Sequence, residues 1–268
     1  MAFLDDLKKE AEAKRLKEQT ETQSKLVAVS QNFLLVQSKY RDILRYLQEF
    51  ANQLNVMDMS INRSYFIEGV GVIDNFRPKE YGVSVDSIRI SQKDFVNSIM
   101  FRFRCTTDRE ITIERNTPSL IDMQKDYLWQ NNVKYECTEY KNERGMVHRA
   151  VFKVANEIPV SVKFTADFEN AKILLLIKNF NGLTVNEFTY DANEINQTFM
   201  DELAKYLLDK PNTFRSLGAH QQRLQNITKS ARKDPDATYV NLDEKTQAEL
   251  DVKDEKKGFF DRFRSMLQ

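Results

Sequence analysis

Residues 160–190 read VSVKFTADFENAKILLLIKNFNGLTVNEFTY. Val160, Val162, Phe164, Ala166 and Phe168 alternate with Ser161, Lys163, Thr165 and Asp167. A period of two sends the two sets to opposite faces, as in a half-buried strand of an antiparallel sheet. Further on, Asn181-Gly182 separates AKILLLIKNF from LTVNEFTY. Asn-Gly accepts the positive φ angles of a tight hairpin turn, so the spacing predicts a two-residue hairpin.

The same alternation recurs on the N-terminal side. Ile99, Phe101, Phe103 and Cys105 alternate with Met100, Arg102 and Arg104. Met146, His148, Ala150, Phe152 and Val154 alternate with Val147, Arg149, Val151 and Lys153. Loops are expected at Lys141–Gly145 and at Phe168-Glu169-Asn170. In VSVDSIRI (83–90) the apolar parity slips by one between Val83/Val85 and Ile88/Ile90. One extra residue near Asp86-Ser87, a β-bulge, accounts for the slip.

Two helices punctuate this pattern. Thr117-Pro118 offers an N-cap followed by proline in the first turn, ahead of SLIDMQKDYLWQ. A second helix is expected from about Asn193, with Ile195, Phe199, Leu203, Tyr206 and Leu207 on one face and Pro211 after its end. Strands, a helix, a five-strand meander and a closing helix make an α+β domain with helices packed on an antiparallel sheet. A meander around a closing helix also suggests, by element order alone, a helix-grip-like arrangement. Its apolar cavity would be lined by Trp129, Phe164, Ile173, Leu175 and Ile177, and the protein would then be a ligand-binding or enzymatic domain.

Residues 1–60 contain neither Gly nor Pro and are rich in Lys, Glu, Gln, Leu and Ala, which favours helix. Leu26, Val29, Phe33, Val36, Tyr40, Ile43, Leu47, Phe50 and Leu54 follow one another at spacings of three and four. This a/d register predicts either self-association through a coiled coil, giving a homo-oligomer, or a long helix laid on its own domain. Leu34, Leu35 and Leu44 widen the face, which favours the second arrangement.

Four segments result: a helical or coiled-coil segment at 1–60, an α+β domain at 61–211, a polar linker at 212–256 and an amphipathic anchor helix at 257–268. A short helix is expected around Phe214–Ile227. Residues 229–257 hold seven Lys/Arg and eight Asp/Glu among few large apolar groups. They bury too little to offset their ordering entropy and read as a tether.

Little in the sequence points to catalysis. The 268 residues include two histidines and two cysteines. His148 shares a strand face with Phe152 and Val154 and is expected to be core or half-core, and His220 to be solvated. Cys105 and Cys137 are expected to be apolar filler. The cysteines and histidines lack metal-ligand spacing. Gly69-Val70-Gly71 lacks the third glycine and following helix of a dinucleotide fingerprint. No cofactor is expected. Forty basic residues balance forty acidic ones, so no nucleic-acid partner is expected from bulk charge. Arg102, Arg104, Arg149 and Lys153 on an outer sheet face are a candidate contact for an anionic partner.

Residues 256–268 read KKGFFDRFRSMLQ. On a helix, Phe259, Phe260, Phe263, Met266 and Leu267 fall within an arc of about 120°, flanked by Arg262 and Arg264. Lys256 and Lys257 precede the arc, and Asp261 lies nearly opposite its centre. An interfacial helix needs this arrangement: apolar groups enter the acyl boundary while arginines snorkel to phosphate. The stretch resembles the membrane-targeting helices of bacterial cell-division proteins, a resemblance that implies anchoring and no activity. With no apolar leader at MAFLDDLKKE, and no apolar run longer than Ile173–Ile177, the expectation is a cytoplasmic protein peripheral to an anionic membrane.

Overall fold

The computed structural model describes residues 2–57, 61–90, 92–217 and 220–222. The architecture is α+β. Helix α1 runs over Ala2–Val56. Strands β1 (Arg63–Ile67), β2 (Gly71–Ile90), β3 (Lys93–Thr106) and β4 (Ile111–Arg115) follow. After helix α2 (Pro118–Gln130) come β5 (Tyr135–Lys141), β6 (Val147–Val154), β7 (Glu157–Asp167), β8 (Lys172–Lys178) and β9 (Val185–Asp191). Helix α3 (Gln197–Leu207) and a short strand β10 (His220–Gln222) complete the described chain.

The expected five-strand meander is divided between two sheets. β7, β8 and β9 continue a seven-stranded antiparallel sheet of order β1-β2-β3-β7-β8-β9-β10, which curls into a half-barrel. β5 and β6 join β4 in a separate three-stranded sheet of order β4-β6-β5. The parity of the quoted stretch holds: Val160, Val162, Phe164, Ile173, Leu175 and Ile177 are each at most 1% exposed. The register breaks where the parity slips, but the extra residue is Asn97 on β3 rather than a residue of β2: Asp86 pairs with Ser98 and Ser87 with Val96.

α1 lies on β2 and β3 and touches α3. Its seam is packed inside the chain: Phe33, Val36, Tyr40, Ile43, Leu47 and Leu54 are at most 5% exposed. Phe50 is half-buried, its ring centroid 5.7 Å from that of Phe101. The register therefore serves the second of the two arrangements open to it, because a curled sheet offers a trough as apolar as another helix would. Leu26 and Val29, at the outer end of the seam, are half-exposed.

Three polar side chains lock this packing. Tyr40 donates its hydroxyl to the carbonyls of Asn97 and Phe164, at 3.2 and 3.4 Å. The Gln37 amide donates to Val96 O at 2.7 Å and accepts from Val96 N–H at 3.0 Å. The Asn55 amide does the same at Tyr81, at 2.8 and 3.0 Å. Val96 and Tyr81 adjoin the two register breaks between β2 and β3, where a bulge leaves backbone groups without a strand partner. Side chains of α1 supply those partners, as buried backbone polar groups require.

Edge strand β1 is tied to the β8–β9 connection and to the end of α3. Tyr65 donates its hydroxyl to Asn179 O at 2.9 Å. Arg63 donates to Leu207 O at 2.8 Å and to Phe180 O at 3.4 Å, and its guanidinium carbon lies 4.0 Å from the Phe180 ring centroid.

Three local expectations change. Asn181-Gly182 does not form a two-residue turn. The β8–β9 connection runs over 179–184, closed by Asn179 N–H donating to Thr184 O at 2.8 Å. It is longer because Phe180 and Leu183, 2% and 4% exposed, turn back into the core. α3 starts at Gln197 rather than near Asn193. Asn196 caps it by accepting from Phe199 N–H at 3.0 Å, and Ala192–Glu194 form a 3-10 turn. The folded body also extends past Pro211. Phe214 is fully buried among Phe188, Phe199 and Tyr206, and β10 pairs with β9 where a helix was expected. Glu202 anchors this segment by accepting from the Thr213 backbone and hydroxyl and from Lys205. Those donors, Lys205 first, hold its carboxyl at about 2.

α2 agrees with expectation. Thr117 is its N-cap, accepting from Leu120 N–H, and Pro118 opens its first turn.

Candidate functional site

Four surfaces deserve comparison: the predicted anchor, the predicted basic sheet face, a cleft beside α1 and an apolar patch beside α2. The anchor residues Lys256, Lys257, Phe259, Phe260, Arg262, Phe263, Arg264, Met266 and Leu267 lie outside the described residues.

The four cations expected on one sheet face lie on two separate sheets, Arg102 and Arg104 on β3 and Arg149 and Lys153 on β6, and most of them are neutralised. Arg149 makes a two-point contact with Glu114, at 2.6 and 3.0 Å, which holds that carboxyl below the usual range. Arg104 pairs with Glu157 at 3.1 Å and with Glu80 at 3.4 Å. Lys153 pairs with Glu110 at 3.3 Å. Of the four cations expected to face an anionic partner, only Arg102 stands outside these pairs. Cross-strand neighbours of opposite charge are a common sheet-surface solution, and they cancel the local field an anion would need.

The groups considered for catalysis are dispersed. His148 is exposed rather than half-core, because the β5–β6 hairpin outruns the core and only Ala150, Phe152 and Val154 of its face are covered. Burial pushes the Cys105 thiol up to about 11, so at neutral pH it is a protonated filler and not a nucleophile. Cys137 is half-buried, and burial raises its thiol too. Among the described residues no group of three His, Cys, Asp or Glu side chains converges as a metal site would, and no helix is long and apolar enough to cross a membrane.

The five residues proposed for an apolar cavity do not meet. Phe164, Ile173, Leu175 and Ile177 are fully buried, whereas Trp129 is 75% exposed. Trp129 borders a shallow surface recess with Asn132, Val133, Lys134 and Tyr135.

A cleft of about 560 Å³ runs between α1 and the start of α3. Lys39, Asp42, Arg45, Tyr46, Glu49 and Phe50 line its α1 side. Tyr46 spans it, donating to Asp201 at 2.9 Å; burial and then that contact raise the phenol. Lys39 donates to Ile195 O at 2.9 Å. Its lining combines charges of both signs with two aromatic rings. Ile43 and Phe50 of the α1 register are part of its lining, but nothing in the sequence showed that α3 would form its other wall.

The patch combines two elements. Phe66 and Val72 are register partners across β1 and β2, on the outward face, and are 61% and 60% exposed. Leu120 and Met123 on α2 are 43% and 46% exposed. Tyr127, one turn beyond Met123, donates its hydroxyl to Phe66 O at 3.3 Å and so draws this flank of α2 alongside the hairpin. The alternation in β1 would have revealed Phe66 as outward, but which side of α2 lies beside it is a tertiary fact.

Comparison of the chain with family profiles, with curated proteins and with solved structures finds no match.

Proposed function

We propose that the protein is a non-enzymatic cytoplasmic scaffold or adaptor held peripherally on an anionic membrane by residues 256–268. One observation carries this reading. The spacing of five large apolar residues, Phe259, Phe260, Phe263, Met266 and Leu267, would place them on one arc of a helix, flanked by Arg262 and Arg264. The form of the body supports it. The helix α1 is 55 residues long, yet residues 10–25 are exposed, so its first half extends from the body as an arm. The α1–α3 cleft is the proposed seat for a partner polypeptide.

Burying the five apolar groups yields about 8–15 kcal/mol gross. Partial immersion, and ordering roughly ten residues at ~1 kcal/mol each, offset most of that. The four basic groups add at most ~1 kcal/mol each near an anionic surface. A single anchor is thus weak and reversible, and two on one assembly bind far more tightly. The proposed self-association uses surfaces other than Phe33–Leu54, which the sheet already covers.

The test is flotation with phosphatidylglycerol–phosphatidylcholine vesicles. The full chain is expected to float. A chain ending at Glu255, and the double variant Phe260→Glu/Phe263→Glu, are expected to stay at the bottom. Equal flotation of all three would remove the membrane role. Sedimentation over a concentration series checks assembly, and a monomer throughout would remove the avidity.

A further inference from the structure

We propose that the recess between the first half of β2 and the β3–β4 connection binds the phosphate ester of a small polyol, the chemistry shared by a glycerophospholipid headgroup and a free glycerol or sugar phosphate. The site lies wholly within the described body and does not depend on residues 256–268.

A bulge in β2 builds one wall. Tyr65 pairs with Ile73 and Arg63 with Phe76, so the single residue Ser64 on β1 faces two residues, Asp74 and Asn75, on β2. Ile73 and Phe76 are each 0% exposed, and the two residues between them both stand outward. Asn75 takes the turn at a φ of 65°, a region that asparagine enters more readily than most residues. Bulges re-aim side chains in this way and are over-represented beside functional sites. Further along β2, Arg77 and Lys79 are two residues apart and share the outward face, with Pro78 buried between them. Arg77 lies opposite Thr106 of β3.

The β3–β4 connection builds the other wall. Thr107 is 5% exposed and donates its N–H to Asn156 O at 2.9 Å. Its Oγ1 accepts from Arg109 N–H at 3.3 Å, which turns the chain at Asp108 and leaves the hydroxyl hydrogen to donate to a ligand. These two walls enclose a common recess of about 520 Å³, within the size range of small-ligand sites.

Charge identifies the ligand. Among the described residues Arg77, Lys79 and Arg109, which all line the recess, form no ion pair. Arg104, the register partner of Lys79, is by contrast paired with Glu157 and Glu80. Two guanidinium forks and an ammonium around one recess suit a phosphate group, whose several oxygens each accept charge-assisted hydrogen bonds. Asp74 and Asp108 also line the recess and leave it a single net positive charge. They repel a second anionic group and accept hydrogen bonds from hydroxyls. A ligand with one phosphate and neighbouring hydroxyl groups satisfies both signs, whereas a polyphosphate does not.

Amide ¹H–¹⁵N spectra of the full chain test the site. The probes are glycerol 3-phosphate, inorganic phosphate, glycerol, and dihexanoylphosphatidylglycerol held below its micelle concentration. Glycerol 3-phosphate at millimolar concentration is expected to shift the amides of Asn75, Arg77, Lys79, Thr107 and Arg109 along one saturating curve. Inorganic phosphate is expected to bind several-fold more weakly, and glycerol to leave these amides unmoved. Arg77→Gln and Arg109→Gln change exposed side chains and are expected to leave the urea midpoint unchanged. Each is expected to weaken the ester about ten-fold or more, as loss of a charged hydrogen-bond partner does. Asp74→Ala/Asp108→Ala is expected to tighten inorganic phosphate and loosen the ester, erasing the preference. Tighter binding of the lipid monomer assigns the site to a headgroup, and tighter binding of glycerol 3-phosphate assigns it to a soluble ester. No saturable shift from either ester overturns the site and leaves the C-terminal anchor standing. Equal binding of inorganic phosphate and both esters overturns the polyol assignment. Loss of the shifts in the chain ending at Glu255 also overturns the site, because it would move the ligand to the residues removed.

Discussion

At the level of single residues, a few buried polar groups tie together elements that are distant in sequence. Arg63 is the clearest case. Its side chain is 5% exposed, yet its ion-pair partner Asp209, at 3.3 Å, is 51% exposed. A half-solvated pair contributes at most about 1 kcal/mol. The hydrogen bonds to the carbonyls of Leu207 and Phe180 matter more. They neutralise buried acceptors, one of them at the C-terminus of α3, where a cation is also favoured by the helix dipole. Arg63→Met is therefore expected to cost ~2–4 kcal/mol by urea denaturation, because it leaves both acceptors unpaired. Asp209→Asn is expected to cost less than about 1 kcal/mol. Equal losses would show that the ion pair is the significant contact. None of this was legible in the sequence. Arg63 opens a strand that carries no unusual pattern, and its partners are over 100 residues away. Gln37 and Asn55 were equally silent: the polar residue beside a seam gives no hint that it will complete a bulged strand. The register break at Asp86-Ser87 was legible as a local slip of parity, whereas its extra residue, Asn97 of β3, and the side chain that repairs it belong to other elements.

At the level of elements, legibility follows how local the cause is. The α2 cap, the alternation in β3 and β7 and the apolar face of α3 are written within a few residues, and each is found where the pattern put it. Strand partnership is a long-range outcome, so the division of the meander into two sheets was not foreseeable from period two alone. The seam of α1 was legible as a seam, but its partner was not, since a trough and a second helix reward the same spacing. Burial now divides α1 into two functional halves. Val36, Tyr40 and Ile43 are 0% exposed, whereas Leu16 is 66% exposed. A helical arm whose described residues, 10–25, are exposed contributes little to global stability. Deleting residues 1–25 is expected to shift the thermal midpoint of the body by no more than about 2 °C, while lowering the far-UV helical signal. Deleting residues 1–57 removes a wall of the core and is expected to prevent folding. A fall of many degrees in the shorter deletion would mean that the arm is packed.

At the level of the whole molecule, two sheets and three helices share one continuous apolar core. Ile43 of α1 and Ile113 of the three-stranded sheet both belong to it, each 0% exposed. A common core makes partial unfolding costly, because opening either layer bares the other's apolar face to water. The described body should then unfold as one cooperative unit although its sheets are separate. Ile43→Val and Ile113→Val each remove one buried methyl group and are each expected to lower stability by ~0.5–1.5 kcal/mol. In both variants the urea transition followed by near-UV circular dichroism, which reports buried tyrosines such as Tyr40, Tyr65 and Tyr190, should coincide with the far-UV transition of the sheets and helices. The control is the chain lacking residues 1–25, in which the arm no longer adds a sloping helical signal. If Ile113→Val splits the two probes while Ile43→Val does not, the three-stranded sheet is a second folding unit.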